Sequence, residues 1–495
     1  MYGYKDNTQQ NDKIYVLADT VSNQSCAVPE GKRIPFGWSA AAVGASSKEW
    51  VRLFWSVPVS DQPGYLRISV ALDLREEVCV EVVTAVTSVQ IGMLDIRYAS
   101  VFQPYQLQLT AAQMALISSE GVELRLVKGR APLWIFTEGP VEAPLLLPHL
   151  LRTPCESFNP WSRLSNTLAS MSSLQPFGWL EGCVLDGLLD LEGAVGGGHF
   201  RETARKHIQM FFDKQGILRY ENPRSEPVDG QVYGIEGTLP FAALAQLEPQ
   251  HPALEKAIAF WLSERAEDGS IWDGAMLSAE GCYTIAYPMA VLAKIYRRVD
   301  LVDSALQQLE IRKNKLVCEN ALYLRYLSDG SRSFCHWTRA YAWYMLGFAR
   351  TLRVLQEIIG LPEAILRRID LLKRELARVA EEVMKYQSQE GLWFVYVNEP
   401  YTGVETSGSS AIATALAIGV QLGILDRNIL SICDSARGSL AKYVTSDGIL
   451  HGVTQNNKAG EELQRNGYRI LSQMGTGLAA QLEAAMKLVK PYEVS

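Results

Sequence analysis

The stretch Trp337-Thr-Arg-Ala-Tyr-Ala-Trp-Tyr-Met-Leu-Gly-Phe-Ala-Arg-Thr-Leu-Arg-Val-Leu-Gln356 repeats apolar side chains at spacings of three and four residues. This period lines them up on one face of a helix, so the stretch predicts a long amphipathic helix. The same period recurs elsewhere, in runs that end near Gly, Pro or a polar cluster. These runs are 161–174, 179–194, 200–213, 238–247, 253–263, 281–296, 301–312, 363–386, 409–422, 427–443 and 474–488.

These twelve predicted helices favour one architecture, an (α/α)6 toroid. Twelve antiparallel helices form six hairpins, which close into a double ring with an inner and an outer layer. A long helical solenoid is the alternative, but it would show a repeat of fixed length, and the sequence shows none. Alternate helices are richer in Gly, Ala and aromatic residues, as an inner ring requires. The inner helices would point their ends and following loops at a central cleft.

The first part of the chain has a different pattern of apolar and polar residues. Short runs rich in Val, Ile, Tyr and Trp alternate apolar and polar residues between Gly, Pro and polar segments, at 50–55, 65–72, 78–83, 122–127 and 133–136. Such runs predict the strands of a β-sandwich. The proline-rich segment that follows predicts a linker. We therefore expect an all-β sandwich over 1–138, a linker over 139–160 and the helical barrel over 161–495.

Composition excludes several classes of function. The 495 residues include 54 acidic and 47 basic side chains, a formal net charge of −7, which gives no general attraction to nucleic acid or an anionic membrane. No run of apolar residues is long enough for a transmembrane helix, and the polar start of the chain lacks the features of a signal peptide. Eight scattered cysteines without a CxxC pair indicate reduced thiols, so we expect a cytoplasmic protein.

The familiar metal and cofactor motifs do not occur. None of the six histidines belongs to an HxH or HExxH pair. The sequence also lacks a GxSxG elbow, a Walker loop and a GxGxxG turn after a strand. We therefore expect neither a metal nor a cofactor.

Acidic residues in Gly-rich and aromatic helix starts are the strongest chemical signal. They occur in three stretches, 229–238, 279–288 and 405–410. A single acid at a helix start is usually a cap or a partner of the helix dipole. Two such acids, Glu236 and Glu280, are each flanked by Gly and Tyr and each open a predicted inner helix. Paired carboxyls on facing helices suit glycoside chemistry, which needs one protonated acid and one ionised base.

Aromatic and basic residues near helix starts are candidates for binding a sugar. Indole faces stack on sugar rings, and the planar guanidinium of Arg339 would bind a carboxylate with two hydrogen bonds. Packing in the core is the alternative for the aromatic residues. The candidate binding residues are Arg339, Trp337, Trp343, Tyr341, Tyr283, Tyr233, Trp179, His336, Trp393, Glu405 and Ser407.

In order along the chain, seven segments resemble the unsaturated uronyl hydrolases of glycoside hydrolase families 88 and 105, or a sister (α/α)6-barrel uronidase family. The resemblance covers 176–490. Its segments are Trp179–Leu188, Ile235–Leu239, Glu280–Tyr283 with Pro288, Trp337–Trp343, Gln387–Trp393, Glu405–Ala411 and Gly475–Gly477.

This sequence departs from the family pattern at three points. Glutamates 236 and 280 stand where the family has aspartates, which extends each carboxyl by one methylene. One extra residue separates Glu280 from Pro288. Ala340-Tyr-Ala342 replaces a Gly-Asn-Gly segment, which narrows the site.

The resemblance implies an exo-acting hydrolase that releases a terminal uronic acid from an acidic oligosaccharide. On an unsaturated uronide, Glu280 would protonate C4, Glu236 or Glu280 would activate water for C5, and Arg339 would hold the uronate. A β-glucuronidase on saturated substrates, a polysaccharide lyase and a non-catalytic glycan-binding protein remain alternatives. We expect no nucleic-acid or membrane partner and leave self-association open.

Overall fold

A computed structural model describes residues 15–22, 26–56, 62–153 and 158–489 of the chain. Cys155 and the residues before 15, on which the signal-peptide prediction rests, lie outside the described residues. The chain divides into two compact units. The first comprises Met1–Asn159 with Pro223–Glu226, and the second comprises Pro160–Asn222 with Pro227–Ser495.

The first unit is built mainly from antiparallel strands. Four of its strands form one sheet in the order β1-β11-β5-β8, five form another in the order β2-β4-β9-β6-β7, and β3 pairs with β10. Buried Val78, Val80 and Val82 alternate with more exposed neighbours, the period-two pattern of a strand with one face in a core. The strands are β1 (Tyr15–Leu17), β2 (Thr20–Ser22), β3 (Ser39–Val43), β4 (Val51–Phe54), β5 (Gly64–Ser69), β6 (Glu77–Thr84), β7 (Gln90–Arg97), β8 (Pro104–Leu109), β9 (Val122–Lys128), β10 (Leu133–Glu138) and β11 (His149–Arg152).

Each of the five predicted strand runs overlaps a strand, but two features of this unit differ from the prediction. Helix α1 (Ala111–Glu120) lies between β8 and β9, so the unit is not purely β. It begins at a capping box in which the side chains of Thr110 and Gln113 bond each other's backbone N–H groups. Strand β11 lies inside the predicted linker and pairs with both β1 and β5. That part of the linker is thus an integral strand of a sheet.

The second unit is mainly helical. Every predicted helical run overlaps one of its helices, and the short α13 was not predicted. The helices are α2 (Pro160–Leu168), α3 (Trp179–Val195), α4 (His199–Met210), α5 (Pro240–Leu247), α6 (Leu254–Ser263), α7 (Tyr287–Tyr296), α8 (Val299–Leu316), α9 (Thr338–Gln356), α10 (Glu363–Met384), α11 (Thr406–Gln421), α12 (Leu430–Leu440), α13 (Glu461–Arg465) and α14 (Gln473–Val489).

Six of these helices contact one another in sequence: α3, α5, α7, α9, α11 and α14, with α14 also packed against α3. Small residues permit the α14–α3 contact, because a Cβ on Gly187 would lie 2.6 Å from the carbonyl oxygen of Gly477. Helices α4, α6, α8, α10, α12 and α2 each pack against one of the six. The six contacting helices are therefore an inner layer and the others an outer layer.

Short strands that were not predicted join some of the helices. They are β12 (Met276–Ser278), β13 (Val317–Cys318), β14 (Ala321–Leu327), β15 (Arg332–Cys335), β16 (Leu450–Val453) and β17 (Ile470–Ser472). Strand β14 pairs with β12, β13 and β15. Strand β12 leads directly into Glu280, so this small sheet positions the start of an inner helix.

None of the helices in the described part of the chain is both long enough and apolar enough to cross a membrane.

Candidate active site

Glu236 and Glu280 lie at the starts of neighbouring inner helices. Glu236 is in a 3-10 turn, Ile235–Thr238, that runs into α5. Glu280 follows β12 and precedes α7. The two helix starts contact each other, and the hydroxyl of Thr238 donates a hydrogen bond to the backbone carbonyl of Thr284. The fold therefore brings the two predicted carboxyls to the same end of the inner layer.

A π-helical turn separates Glu280 from Pro288. It spans Cys282–Ala286 and continues into α7. A π turn accommodates one residue more than an α-helical turn, because its hydrogen bonds join residues five apart. The π turn thus accommodates the extra residue noted in the sequence between Glu280 and Pro288.

Polar groups buried in the inner layer hold this π turn in place. The hydroxyl of Tyr283 donates a hydrogen bond to the carboxylate of Asp186, and the hydroxyl of Tyr287 donates another at 3.1 Å. The guanidinium of Arg350 lies 3.9 Å from the same carboxylate. Asp186, which was not predicted as functional, thus ties α3 to the segment that carries Glu280.

The two glutamates share an environment that favours protonated carboxyls. Burial, the negative charge of Glu280 and that of Asp273 raise the pKa of Glu236 to about 8. Burial also raises the pKa of Glu280, while the charges of Arg325 and Arg339 and the hydroxyl of Ser278 oppose that rise. Since two neighbouring carboxyls resist ionising together, the pair suits acid–base chemistry near neutral pH.

Tyr233, one of the predicted sugar-binding residues, lies beside Glu236. Its hydroxyl donates a 3.3 Å hydrogen bond to the carboxylate of Glu236. The backbone of Gly178, at φ +131°, lets that hydroxyl approach closely, because a Cβ there would lie only 2.8 Å from it. Trp179, the next residue, is half-buried at the start of α3. Its indole packs edge-on against Trp343, with ring centroids 5.6 Å apart.

The sequence analysis missed Asp273 and Arg325. Asp273 is half-buried in the turn before β12, and burial raises its pKa while the charge of Arg325 opposes the rise. Arg325 lies on β14. The Asp-Gly pair at 273–274 was a readable turn signal. No sequence pattern marked Arg325, because it reaches the site only through the pairing of β14 with β12.

A cleft of about 600 Å³ is lined by neighbours of the two carboxyls and not by Glu236 or Glu280 themselves. That volume lies within the range of small-molecule binding sites. Tyr233, which donates a hydrogen bond to Glu236, lines it together with Asp273, Trp272, Phe260 and Lys256. Aromatic rings and polar groups together form a surface suited to a saccharide.

Arg339 and Trp337 lie in the protein interior at the start of α9. Arg339 is 2% exposed, and its two terminal nitrogens donate hydrogen bonds of 3.0 and 2.6 Å to the backbone carbonyls of Thr454 and Gln455. Its guanidinium lies 4.7 Å from the ring centre of Trp337, which is 1% exposed. Arg339 therefore anchors a loop, and Trp337 has almost no ring surface left for a sugar.

The other predicted aromatic residues fall into two groups. Trp343 stacks on Tyr283, with ring centroids 6.1 Å apart, and so packs against the π turn that follows Glu280. Tyr341 is buried and shares a 2.9 Å hydrogen bond with half-buried His336, whose pKa is lowered by burial. Trp393 is fully buried, and its indole N–H donates to the carbonyl of Val383. In this second group Tyr341 and Trp393 are core residues, and His336 is half-buried beside Tyr341.

Glu405 and Ser407 form a helix cap. Glu405 is fully buried at the N-terminus of α11 and accepts hydrogen bonds from the backbone N–H of Gly408, the hydroxyl of Ser407 and the backbone N–H of Thr454. Its carboxylate is therefore fully engaged in stabilising the fold.

No group of three or more His, Cys, Asp or Glu side chains suited to a metal ion occurs within residues 15–22, 26–56, 62–153 and 158–489.

The fold and the site define a helical protein with two carboxyls of raised pKa and a cleft of small-molecule size lined by their neighbours Tyr233 and Asp273. The sequence model of Glycosyl Hydrolase Family 88 matches residues 157–488, more than half of the chain. The chain belongs to this family and is a glycoside hydrolase.

Solved structures of low sequence identity share the fold. A possible member of family GH105 from Salmonella enterica serovar Paratyphi A aligns with a TM-score of 0.57 at 16% identity, over 71% of this chain and 99% of that chain. A family 105 glycoside hydrolase from C. acetobutylicum aligns with a TM-score of 0.57 at 18% identity, over 67% and 100%. A polysaccharide lyase aligns with a TM-score of 0.52 at 16% identity, over 66% and 97%. No curated protein matches the sequence.

Proposed function

We propose that this glycoside hydrolase is exo-acting and releases a terminal, unsaturated uronic acid from an acidic oligosaccharide. The observation that carries the proposal is the Glu236–Glu280 pair, whose pKa values are raised and whose neighbours Tyr233 and Asp273 line the cleft. Membership of family 88 and the seven segments that resemble unsaturated uronyl hydrolases support the substrate class.

The architecture that we propose is an (α/α)6 barrel preceded by a β-sandwich accessory domain. The succession of contacts from α3 through α14 and back to α3 supports a closed inner ring. The active site would then lie at the end of the ring where the starts of α5 and α7 meet.

The two glutamates take different roles. At pH 7, a pKa of about 8 leaves Glu236 mostly protonated, so we assign it as the acid. The positive charges of Arg325 and Arg339 favour the ionised form of Glu280. Glu280 is then the base. This assignment reverses the proton-donor role that the resemblance gives to Glu280, and the positive charges of Arg325 and Arg339 near that carboxyl support it.

In the proposed reaction, Glu236 gives its proton to C4 of the C4=C5 double bond. Glu280 removes a proton from a water molecule, whose oxygen bonds to C5. The product is a hemiketal at C5, which opens to a ketone by breaking the bond between C5 and the ring oxygen. C1 is left as a hemiacetal, which expels the remaining saccharide as an alcohol and becomes an aldehyde. The overall reaction consumes one water molecule.

The cleft beyond Tyr233 and Asp273 takes the leaving saccharide. Its aromatic side chains Trp272 and Phe260 offer apolar surface, and Lys256 offers a positive charge to an acidic sugar. One terminal uronic acid at the carboxyls, with the rest of the chain in the cleft, gives exo action.

Absorbance at the unsaturated-uronide band tests the reaction directly. With a panel of lyase-generated disaccharides, we expect absorbance to fall with the wild-type enzyme and to persist with Glu280→Gln. Unchanged absorbance together with cleavage of a chromogenic β-glucuronide would replace the proposal with action on saturated substrates. Absorbance that rises on a saturated polysaccharide would replace hydrolysis with elimination.

A further inference from the structure

Arg325 is a basic side chain near Glu280 that has unused hydrogen-bond donors. It lies on β14, and its charge acts on both Glu280 and Asp273. Among the described residues it forms no hydrogen bond and no ion pair with either carboxylate, and its Nε is buried without a partner. A buried, unpaired N–H is costly, so it calls for an acceptor that arrives with a ligand.

The surroundings of Arg325 hold its guanidinium in place without occupying its N–H groups. The guanidinium carbon lies 4.9 Å from the ring centre of Phe334 on β15, a contact of the cation–π kind. Phe334 is itself buried, and its backbone N–H is bonded to Glu461. A guanidinium supported in this way presents a preorganised fork of donors.

Arg339, the arginine predicted to hold the uronate, also has a buried Nε without a partner, but it differs from Arg325 at its terminal nitrogens. Its terminal nitrogens are already bonded to two backbone carbonyls of the loop at Thr454 and Gln455. A uronate could reach them only if that loop moved. Its charge still acts on Glu280, but with both terminal nitrogens bonded it offers no two-pronged fork to a carboxylate.

We propose that Arg325 binds the carboxylate of the terminal uronic acid and so determines specificity for acidic sugars. This inference rests on the proposed function, in which Glu280 directs water to C5. The uronate carboxyl carbon, C6, is bonded directly to C5, so its binding group must lie beside Glu280. Arg325 meets that requirement, and a planar guanidinium binds a carboxylate with two parallel hydrogen bonds.

Occupation of this position also has a consequence for the reaction. The carboxylate of the substrate neutralises Arg325, so the charge that favours ionised Glu280 is partly cancelled when substrate binds. Glu280 then becomes a stronger base in the complex than in the free enzyme. A neutral sugar leaves Arg325 unpaired and lacks this effect, which adds discrimination in the reaction to discrimination in binding.

Binding measurements in a slowed enzyme test the proposal. Calorimetry on Glu280→Gln compares an unsaturated-uronide disaccharide with its methyl ester. Adding Arg325→Met is expected to weaken binding of the uronate about 30-fold or more, but that of the ester less than about 3-fold. Arg325→Lys, which keeps the charge and loses the fork, is expected to fall between these values.

Arg332→Met is the matched control, because Arg332 is an exposed arginine on β15 of the same small sheet and bonds the carbonyl of Lys315. It should leave both affinities unchanged. The proposal is overturned if Arg325→Met and Arg325→Lys, both folded by circular dichroism, bind uronate and ester as Glu280→Gln does. Arg325-dependent binding without hydration by the wild-type enzyme would refute the proposed reaction and leave this assignment standing.

Discussion

Glu405 and the pair Glu236–Glu280 have the same appearance in the sequence and opposite surroundings in the structure. Each glutamate stands at the start of an inner helix among small residues. Glu405 accepts hydrogen bonds from Gly408, Ser407 and Thr454 and is fully buried. Glu236 accepts one long hydrogen bond, from Tyr233, among the described residues, and faces other carboxyls.

This difference shows what separates a structural acid from a chemical one. A carboxylate surrounded by donors is stabilised in its ionised form and holds a helix end in place. A carboxyl that is buried near like charges, with few donors, retains a proton that it can transfer. The number and placement of donors, and not the helix start itself, distinguish the two.

The largest expected effect contrasts Glu280→Gln with Glu405→Gln. Glu280→Gln should lower kcat on an unsaturated disaccharide about 10³-fold, because it removes the base, while the midpoint of thermal unfolding changes little. Glu405→Gln places an amide N–H₂ among three donors and should cost about 2–3 kcal/mol of unfolding free energy. Kinetics and urea unfolding of both variants measure the two effects. Loss of activity without loss of stability in Glu405→Gln would remove the distinction.

The pH dependence of stability sharpens the comparison. In the folded protein the pKa of Glu236 is about 8, above its ordinary value of 4.5, so the folded state keeps a proton that the unfolded chain releases. Its contribution to the free energy of unfolding therefore falls as pH rises from about 4.5 to about 8. Glu236→Gln abolishes that fall and should be more stable than wild type by about 1 kcal/mol or more at pH 8.5, with no gain near pH 4.

The control for this measurement is Glu363→Gln, because Glu363 is an exposed acid in the first turn of α10. Its unfolding free energy should differ from that of wild type by a nearly constant amount over the same pH range. Parallel curves for Glu236→Gln and wild type would show that Glu236 titrates normally.

The smallest expected effect concerns the π turn. Tyr283→Phe removes a hydrogen bond to Asp186 and should cost about 1–2 kcal/mol of stability. Because Tyr283 lies within the π turn that directly follows Glu280, we also expect kcat to fall about 3- to 10-fold, with KM unchanged and the pH profile of kcat displaced. Tyr287→Phe removes a bond to the same acceptor beyond the turn and should affect stability alone. Equal kinetics in the two variants would deny Tyr283 a positioning role.

Local patterns explain which parts of the fold and the site were predictable. The three-and-four spacing of apolar residues marks every helix of the second unit except the short α13, and the seven segments place Glu236 and Glu280 at helix starts. The one-residue excess before Pro288 is readable, but its accommodation as a π turn is not, since that depends on Tyr283 reaching Asp186 on another helix. Helix α1 begins at a capping box that is recognisable in the sequence, although the helix was not predicted.

Contacts between segments that are distant in the chain decide the surroundings of the acidic and basic residues at the site, which the sequence alone did not predict. Amphipathic period, turn residues and motif order are properties of neighbours in the chain, so they determined the helices, many of the strands and the identity of the two candidate carboxyls. Whether a carboxylate at a helix start is surrounded by hydrogen-bond donors depends on groups from distant parts of the chain, such as the Thr454 N–H that donates to Glu405. The same holds for arginines. Only the pairing of β14 with β12 sets Arg325 beside Glu280, and only the loop at Thr454 and Gln455 occupies Arg339.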